Sequence, residues 1–324
     1  MSCCVTPNET TAEAMPRKRR GEPIHGWIVI DKPEGMTSAR VVARVRAITN
    51  AAKAGHAGTL DPLATGVLPI ALGEATKTVA WVMDGSKAYR FRVRWGEARD
   101  TDDTEGVVTD TSETRPSEVE IHAALPQFVG NIEQTPPIYS AIKVEGRRSY
   151  ALARADKAVH LDARTVRIDS VELVECPDSE HAVFEARCGK GVYVRSLARD
   201  LALALGTFGH ICQIRRLAAG PFDEASAISL DQLDALRHSA PPSDYLLPVE
   251  TALDDIPALA LTEAQAEHLR YGRPVRVRGP GGLRFVDTDD LEQDLTVCAM
   301  AGDRLVALVR LDGDELRPVR VMNH

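Results

Sequence analysis

The sequence predicts a mixed α/β chain that is rich in strands and ends in a small β-rich region. Three observations support this prediction. An apolar run at 27–30 is followed by a helical pattern that begins near residue 38. Residues 89–95 alternate between apolar and basic side chains, and residues 295–321 alternate short apolar runs with Gly and Asp turns. Apolar periods of about 3.6 and about 2 residues indicate helices and strands, respectively.

The first strand and the first helix are predicted from the N-terminal part of the chain. Trp27–Ile30 forms the apolar run of a buried strand, which ends at Asp31-Lys32-Pro33. The following helix takes Ser38 or Thr37 as its N-cap, because a hydroxyl accepts hydrogen bonds from the free N–H groups of the first turn. The apolar positions on one face of this helix are Val41, Val42, Val45 and Ile48.

The middle of the chain adds strands and another helix. Between Tyr89 and Trp95, the alternation places apolar side chains on one face of a strand and arginines on the other. Further strands are predicted near 165–174 and 182–188. A turn at 189–191 then leads through Tyr193 and Arg195 into a helix. The inward positions of that helix are Leu197, Leu201 and Leu205.

Three regions are predicted along the chain. Residues 1–22 read as a disordered polar leader, since their basic cluster is not followed by an apolar segment. Residues 23–250 are assigned to one large domain, whose last part is an irregular stretch that begins at Pro241 and links it to the next domain. Residues 251–324 are assigned to a small β-rich domain, in which Thr262 and Gln265 have the spacing of a helix-capping box.

The composition is ordinary for a globular protein. Hydrophobic residues make up 44% and charged residues 27% of the chain. No apolar run reaches the roughly 18 residues that a membrane-spanning helix needs. The six cysteines contain no CxxC pair, so neither a zinc cluster nor a disulfide framework is predicted. Reduced thiols in a cytoplasmic protein are the expectation.

The charge distribution leaves RNA binding open. The net charge of −8 by itself argues against a nucleic-acid partner. Within residues 1–100, however, basic residues outnumber acidic ones, and the reverse holds within 101–150. A local basic face neutralises phosphates even when the whole protein is acidic.

Residues 55–66 form the most unusual stretch, because three glycines, two threonines, a histidine, an aspartate and a proline occur within these positions. Such a composition predicts a structured loop whose backbone approaches another group closely. A turn-rich connector, in which Asp61 and Thr65 hydrogen-bond locally, explains it equally well. A phosphate-binding P-loop is not favoured, since the Gly-Lys-Ser/Thr ending is absent.

Four further stretches form an ordered set of motifs with this loop. They are Gly26–Pro33 with Gly35–Ser38, Lys87–Arg90, Thr135–Lys143 with Gly146–Tyr150, and Cys188–Leu197. The set lies within residues 25–217 and closely resembles the motifs of the TruB family, the tRNA pseudouridine-55 synthases. The resemblance implies a pseudouridine synthase fold with a mixed, mainly antiparallel sheet, and a PUA-like RNA-binding domain at the C-terminus.

The reaction implied by the resemblance is the isomerisation of the T-loop uridine of tRNA to pseudouridine. It implies that Asp61 is the catalytic carboxylate, either as a nucleophile or as the base in a glycal-forming elimination. Arg195 would be the cation that orients Asp61, and Tyr89 the ring that stacks on the base. Without the resemblance, Arg195 reads as a surface or phosphate-contacting arginine and Tyr89 as a core aromatic. The reaction is redox-neutral, so neither a cofactor nor a metal is expected.

Substrate binding is also assigned by resemblance. The target uridine must be flipped out of the folded RNA, and His56 would hold the rearranged T loop. Tyr193 and Leu217 are assigned to the pocket around the base. Phosphate contacts, which depend on Lys and Arg side chains, are assigned to Lys32, Lys143, Arg147 and Arg148. The implied partner is the T-arm stem-loop of tRNA, bound by a monomer that needs no membrane and no protein partner.

One departure and three alternatives remain. Arg99 stands where the family often has a threonine, within the segment 96–103. An RNA chaperone of the same fold is one alternative, and a guide-RNA-dependent catalytic subunit of the same superfamily is another. A glycoside hydrolase is the third, since an aspartate also attacks anomeric carbons. That enzyme needs a second positioned carboxylate, for which Glu74 or Asp103 can be proposed.

Overall fold

The computed structural model describes residues 21–140, 161–276, 295–312 and 314–323, together with the backbone of 143–144 and 147–148. The predicted leader therefore lies outside the described residues, except for its last two positions. Among the described residues, no helix is both long enough and apolar enough to span a membrane.

The strands form a large sheet, a smaller sheet near the C-terminus and two short hairpins. They are β1 Gly26–Lys32, β2 Ala54–His56, β3 Thr65–Leu72, β4 Lys87–Trp95, β5 Glu97–Arg99, β6 Val108–Thr111, β7 Gly130–Gln134, β8 Lys143–Val144, β9 Arg147–Arg148, β10 Arg164–Asp178, β11 His181–Cys188, β12 Gly209–Ala219, β13 Phe222–Asp223, β14 Ala258–Ala260, β15 Val275–Arg276, β16 Thr296–Ala301, β17 Arg304–Asp312 and β18 Glu315–Val321.

The α-helices are distributed along the chain between these strands. They are α1 Ser38–Thr49, α2 Val79–Asp84, α3 Glu118–Ala124, α4 Val194–Ala204, α5 Leu230–Ser239 and α6 Glu263–Arg270. Short 3₁₀ turns occur at Gly73–Lys77, Leu125–Phe128, Glu224–Ser226, Pro242–Asp244 and Val249–Leu253.

The large sheet is mixed and mainly antiparallel, which confirms the prediction. Its strand order is β1-β3-β12-β4-β11-β10-β7, with β2 added to β3 and β13 to β12. Only the β3–β12 pair is parallel among the described pairs of this sheet. This parallel pair places Thr65 and Gly66 beside Arg215 and Arg216. It thereby joins the end of the unusual loop to a strand about 150 residues further along the chain.

Both faces of the large sheet are covered. Leu197 and Leu201 of α4 pack on the face of β4 that carries Phe91 and Trp95. The Phe91 and Phe184 rings stack with centroids 5.5 Å apart. On β1, alternate residues enter two different clusters, so the whole strand is buried. Burial on both faces explains why β1 reads as a continuous apolar run instead of alternating.

The small sheet has the order β14-β16-β17-β18-β15, and it packs directly on the large one. Leu308 and Met322 of the small sheet share an apolar cluster with Trp27 and Val29 of β1. Polar contacts reinforce this interface, since Lys77 Nζ donates to the carbonyl of Val321 at 2.6 Å. The prediction of a β-rich C-terminal region is confirmed.

Most predicted elements are confirmed. Thr37 caps α1, and Thr262 and Gln265 form the capping box of α6. One prediction needs correction, because the loop is shorter than residues 55–66. His56 ends β2, and Thr65 and Gly66 begin β3, so the irregular segment is 57–64. The pairing of both strands with neighbours outweighs the low strand propensity of glycine.

The shared cluster predicts that the two sheets unfold together. Leu308 is fully buried in it, so Leu308→Ala should lower the free energy of unfolding by about 3 kcal/mol. Leu203, which is 53% exposed, provides the matched control, since Leu203→Ala should change stability by less than about 0.5 kcal/mol. Urea unfolding followed by tryptophan fluorescence measures both. A separate early transition of the small sheet, with the tryptophan signal unchanged, would contradict a common unfolding unit.

Candidate active site

The loop 57–64 that carries Asp61 is held by side chains from other elements. Lys32 Nζ donates to the carbonyls of Pro33, Pro62 and Ala64. Ser38 Oγ donates to the carbonyl of Leu60 at 3.0 Å and accepts from its N–H at 2.8 Å. A loop without regular backbone pairing needs such partners, because buried polar groups left unpaired are costly. The position of Asp61 is therefore set by residues outside the loop.

The geometry of Lys32 contradicts its assignment as a phosphate contact. Its side chain is fully buried at the end of β1, and its ammonium group donates hydrogen bonds to the three carbonyls. Burial lowers the pKa of Lys32 to about 8, against the opposing effect of the nearby Asp61 carboxylate. The sequence could not distinguish this role, because a lysine before a proline in a loop motif reads as solvent-exposed.

Arg195 meets Asp61 at the start of α4. The Nη2 atom of Arg195 lies 2.9 Å from Oδ2 of Asp61. The side chain of Arg195 is only 8% exposed, whereas that of Asp61 is 47% exposed. The guanidinium thus comes from the protein interior and leaves one side of the carboxylate open. Charge-assisted hydrogen bonds of this kind orient a carboxylate strongly.

Arg195 also binds a second carboxylate, Asp103. Its Nη1 atom lies 3.3 Å from Oδ2 of Asp103 and donates to the carbonyl of Thr101 at 2.9 Å. Asp103 itself is buried, and its Oδ1 accepts from Thr101 Oγ1 and from the N–H of Glu105. Asp103 therefore acts as a fixed counter-charge behind Arg195. Sequence reasoning considered this residue only as a glycosidase acid and missed its contact with Arg195.

The loop around Asp103 is held by a neighbouring pair, Asp102 and Arg199. Arg199 Nη1 lies 2.9 Å from Oδ2 of Asp102. Asp102 adopts φ = 60°, a left-handed conformation that Asp and Asn tolerate better than other non-glycine residues. Arg99, the departure from the family pattern, pairs internally with Glu97 at 3.0 Å and with the carbonyl of Gly106 at 2.9 Å.

Tyr89 lies on β4, on the same side of the sheet as the Asp61 loop. It is half-buried and packs at the edge of two apolar clusters together with Ile214. Its cross-strand partner on β12 is Arg216. Burial raises the pKa of the Tyr89 phenol, while the charge of Arg216 and a hydrogen bond from it act in the opposite direction.

Three further residues were assigned to substrate binding by resemblance. Leu217 is half-buried in a bulge of β12, beside the residues that pair with Tyr89 and Ala88. Tyr193 caps α4 and exchanges two hydrogen bonds with Gln134 through its backbone, at 2.8 and 3.2 Å. His56 is partly buried, and its Nδ1 has no hydrogen-bond partner among the described residues. Burial lowers the pKa of His56, and the charge of Arg216 lowers it further.

Some assigned residues cannot be placed in the site. Lys143, Arg147 and Arg148 belong to the β8–β9 hairpin, and their side chains lie outside the described part of the chain. Among the described residues, no three His, Cys, Asp or Glu side chains are grouped as metal ligands. The cysteines Cys176, Cys188, Cys212 and Cys298 are free thiols.

The two carboxylates considered for a glycosidase do not have the properties of its second catalytic group. Glu74 pairs with Lys77 at 2.6 Å and accepts from the N–H of Asn323 at 2.8 Å. Asp103 is buried against Arg195. A glycosidase acid or base must reach the sugar or a water molecule, so the site does not favour that alternative.

Comparison with known proteins points to the same family as the sequence motifs. The family model "TruB family pseudouridylate synthase (N terminal domain)" matches residues 46–194, and "tRNA pseudouridylate synthase B C-terminal domain" matches 195–254. A tRNA pseudouridine synthase B of Rhodospirillum rubrum is 57% identical over 309 residues, covering 95% of this chain and 100% of the relative. The protein of that name from Caulobacter vibrioides is 51% identical over 307 residues, covering 95% and 99%.

Solved structures share the fold. The chain matches one in an H/ACA RNP bound to a substrate RNA containing 2′-deoxyuridine, with a TM-score of 0.71, 24% identity and coverage of 97% of this chain and 93% of the other. It matches one in a Cbf5-Nop10-Gar1 complex with a TM-score of 0.70, 27% identity and coverage of 92% and 84%. Together with the Asp61–Arg195 centre and the family matches, this fold defines a pseudouridine synthase. Within that class, the chain belongs to the TruB family.

The buried role of Lys32 leads to a prediction that separates it from a phosphate contact. Lys32→Met should leave carbonyls of the Asp61 loop without donors and lower stability by about 2 kcal/mol. It should also slow the reaction at least about tenfold, since small displacements of catalytic groups are costly. The affinity for a T-arm stem-loop RNA and its dependence on salt should stay unchanged. A phosphate contact would instead reduce the slope of log affinity against log salt by about 1, which filter binding at several salt concentrations detects.

The buried Asp102 predicts a pH dependence of stability. Burial raises its pKa from an ordinary value of 3.8 to about 6, despite the opposing charge of Arg199. Between pH 4 and 6, the folded chain keeps a proton that the unfolded chain has lost, so stability falls as the pH rises through this window. Asp102→Asn cannot titrate and tolerates φ = 60°. Relative to this variant, wild type should lose about 1–3 kcal/mol between pH 4 and 7, measured by urea unfolding. Parallel pH profiles would contradict the prediction.

Proposed function

We propose that this protein converts the T-loop uridine of tRNA, position 55, to pseudouridine, with Asp61 as the catalytic carboxylate. The observation that carries the proposal is the half-exposed Asp61 carboxylate held by the buried Arg195. Relatives that cover nearly all of the chain carry the name tRNA pseudouridine synthase B, which supports tRNA as the substrate.

The chemistry needs few groups. The C1′–N1 bond of uridine breaks, the base turns, a C1′–C5 bond forms, and the proton on C5 is lost while N1 gains one. Asp61 supplies either a nucleophile for C1′ or a base that removes a sugar proton. Arg195 keeps the carboxylate aimed at the sugar. The balance of atoms requires no oxidant, so residues of the chain are sufficient for every step.

Access to the uridine requires base flipping, because the target is stacked inside folded RNA. Tyr89 borders the opening on the base side and offers a ring for stacking. Leu217 adds an apolar contact, and Tyr193 and His56 line the approach to the loop of Asp61. His56 is proposed to hold the rearranged T loop, and its Nδ1 is a buried atom without a hydrogen-bond partner among the described residues. Lys143, Arg147 and Arg148 are proposed to contact phosphates from their hairpin.

The C-terminal residues 251–324 are proposed to be a PUA-like domain that contacts the acceptor arm. Tyr271 is 72% exposed, and the guanidinium of Arg273 lies 5.8 Å from the centre of its ring. An exposed aromatic residue next to arginines is typical of RNA-binding surfaces, since bases stack on rings and phosphates pair with cations. The enzyme is proposed to act as a monomer.

The first experiment follows tritium release from a T-arm stem-loop labelled at C5 of uridine. Wild type should release tritium from the one T-loop uridine, and Asp61→Asn should reduce the rate at least about 10³-fold with RNA affinity kept. Asp254 is solvent-exposed and serves as a matched control, since Asp254→Asn should behave as wild type.

Each other outcome has a defined meaning. Release by both wild type and Asp61→Asn would keep the enzyme class and move the essential carboxylate elsewhere. Tight RNA binding without release by wild type would reject catalysis on this RNA and favour the RNA-chaperone alternative.

A further inference from the structure

Arg216 is a buried cation that the proposed chemistry does not use. It lies on β12, is only 1% exposed, and donates from Nε to the carbonyl of Val67 at 2.7 Å. Its Nη2 donates to the carbonyl of Gly58 at 3.2 Å, within the loop of Asp61. Its direct cross-strand neighbour is Tyr89, and its charge lowers the pKa of the Tyr89 phenol against the effect of burial. In the part of the chain that the structure describes, Arg216 has no ion pair with a carboxylate.

The absence of a carboxylate makes this residue unusual. Burying a charged group is expensive unless a counter-charge is present. A neutral side chain such as glutamine offers a single NH2 group, whereas different nitrogens of Arg216, Nε and Nη2, donate to its two carbonyl partners. The rigid planar fork of the guanidinium, which presents donors in several directions at once, is what glutamine lacks.

The backbone of two glycines lies close to Arg216. At Gly58, which has φ = 102°, a Cβ atom would lie 3.3 Å from Nη1 of Arg216, so the absence of a side chain there leaves room for the guanidinium. Gly66 pairs with Arg216 across the parallel β3–β12 contact, and a Cβ atom there would lie 2.2 Å from the backbone carbonyl oxygen of Arg216. Both glycines belong to the motif that contains Asp61, and the motif therefore packs closely against the backbone and the side chain of Arg216.

We infer that Arg216 is a positioning residue, which holds the Tyr89 phenol and the Gly58 end of the Asp61 loop in one fixed arrangement. The inference rests on the proposed function. Gly58 lies three residues before Asp61, so the guanidinium joins the group that faces the sugar to the ring that faces the base. The charge of Arg216 has a second effect, because it lowers the pKa of the Tyr89 phenol against the larger, opposing effect of burial. Cys188 and Asp61, the other ionisable groups that act on this phenol, have the opposite effect.

The first test compares Arg216→Gln, Arg216→Lys, Tyr89→Phe and the double variant Arg216→Gln/Tyr89→Phe. In single-turnover tritium release with saturating enzyme, Arg216→Gln should be slower by about 10²-fold, and the affinity for the T-arm RNA should change less than about twofold. Arg216→Lys should recover part of the rate, since it keeps the charge and loses the fork. If Arg216 acts largely through Tyr89, adding Arg216→Gln to Tyr89→Phe should slow the reaction far less than it slows wild type. Arg44, exposed on α1, is the control, since Arg44→Gln should change neither rate nor affinity.

The second test needs no RNA. Difluorotyrosine placed at position 89 brings the phenol titration close to neutral pH, where its absorbance is followed directly. The midpoint should move to higher pH in Arg216→Gln and return towards wild type in Arg216→Lys. A merely structural arginine would leave this midpoint unchanged, and that result, or fully additive rate effects, would overturn the inference. If wild type releases no tritium, the proposed function fails, while the titration still decides whether Arg216 acts on Tyr89. If Arg216→Gln does not fold, the rate of Arg216→Lys tests the inference, since it should lie below that of wild type with the RNA affinity kept, and a wild-type rate would overturn the inference.

Discussion

The active site depends on one constraint: the loop 57–64 is irregular and partly buried, so its carbonyl groups need donors from outside the loop. Lys32 at the end of β1, Ser38 at the start of α1 and Arg216 on β12 supply them. Each donor comes from a different element, and each element is fixed by the large sheet or its covering helix. Asp61 is thus positioned by the fold as a whole. A loop held only by its own turns would leave Asp61 free to move.

The charged side chains around this loop differ in their exposure to solvent. Arg195 lies between Asp61 and Asp103, and the two aspartates differ in side-chain exposure, at 47% and 4%. The buried partner fixes the guanidinium, and the other partner is exposed to solvent on one side. Arg199 and Asp102 repeat this pairing one turn further along α4. Two cation–carboxylate pairs therefore hold the segment 101–106 against the helix, and part of the Asp61 carboxylate stays exposed.

The small C-terminal sheet shares its apolar cluster with the first strand of the large sheet. The small sheet is therefore packed in a fixed position relative to the large sheet, and an RNA contact on its surface would lie at a fixed distance from Asp61. The net charge of −8 is compatible with this arrangement. Many arginines of the described chain are paired with carboxylates, as Arg90 is with Glu185 and Arg215 with Asp31.

The sequence by itself determined most of the elements and the family, because these depend on local patterns and motifs. The capped helix after Thr37, the alternating strand at 89–95 and the motifs with Asp61, Tyr89 and Arg195 could all be read from spacing or resemblance. Only the tertiary structure decided which partners these residues have. Lys32 was read as a phosphate contact, yet carbonyls 30 residues away enclose it. Asp103 and Arg216 showed no local signal, since their partners lie about 90 to 160 residues away in the chain. Pairing over such distances depends on strand order and register, which residue patterns within one segment do not encode.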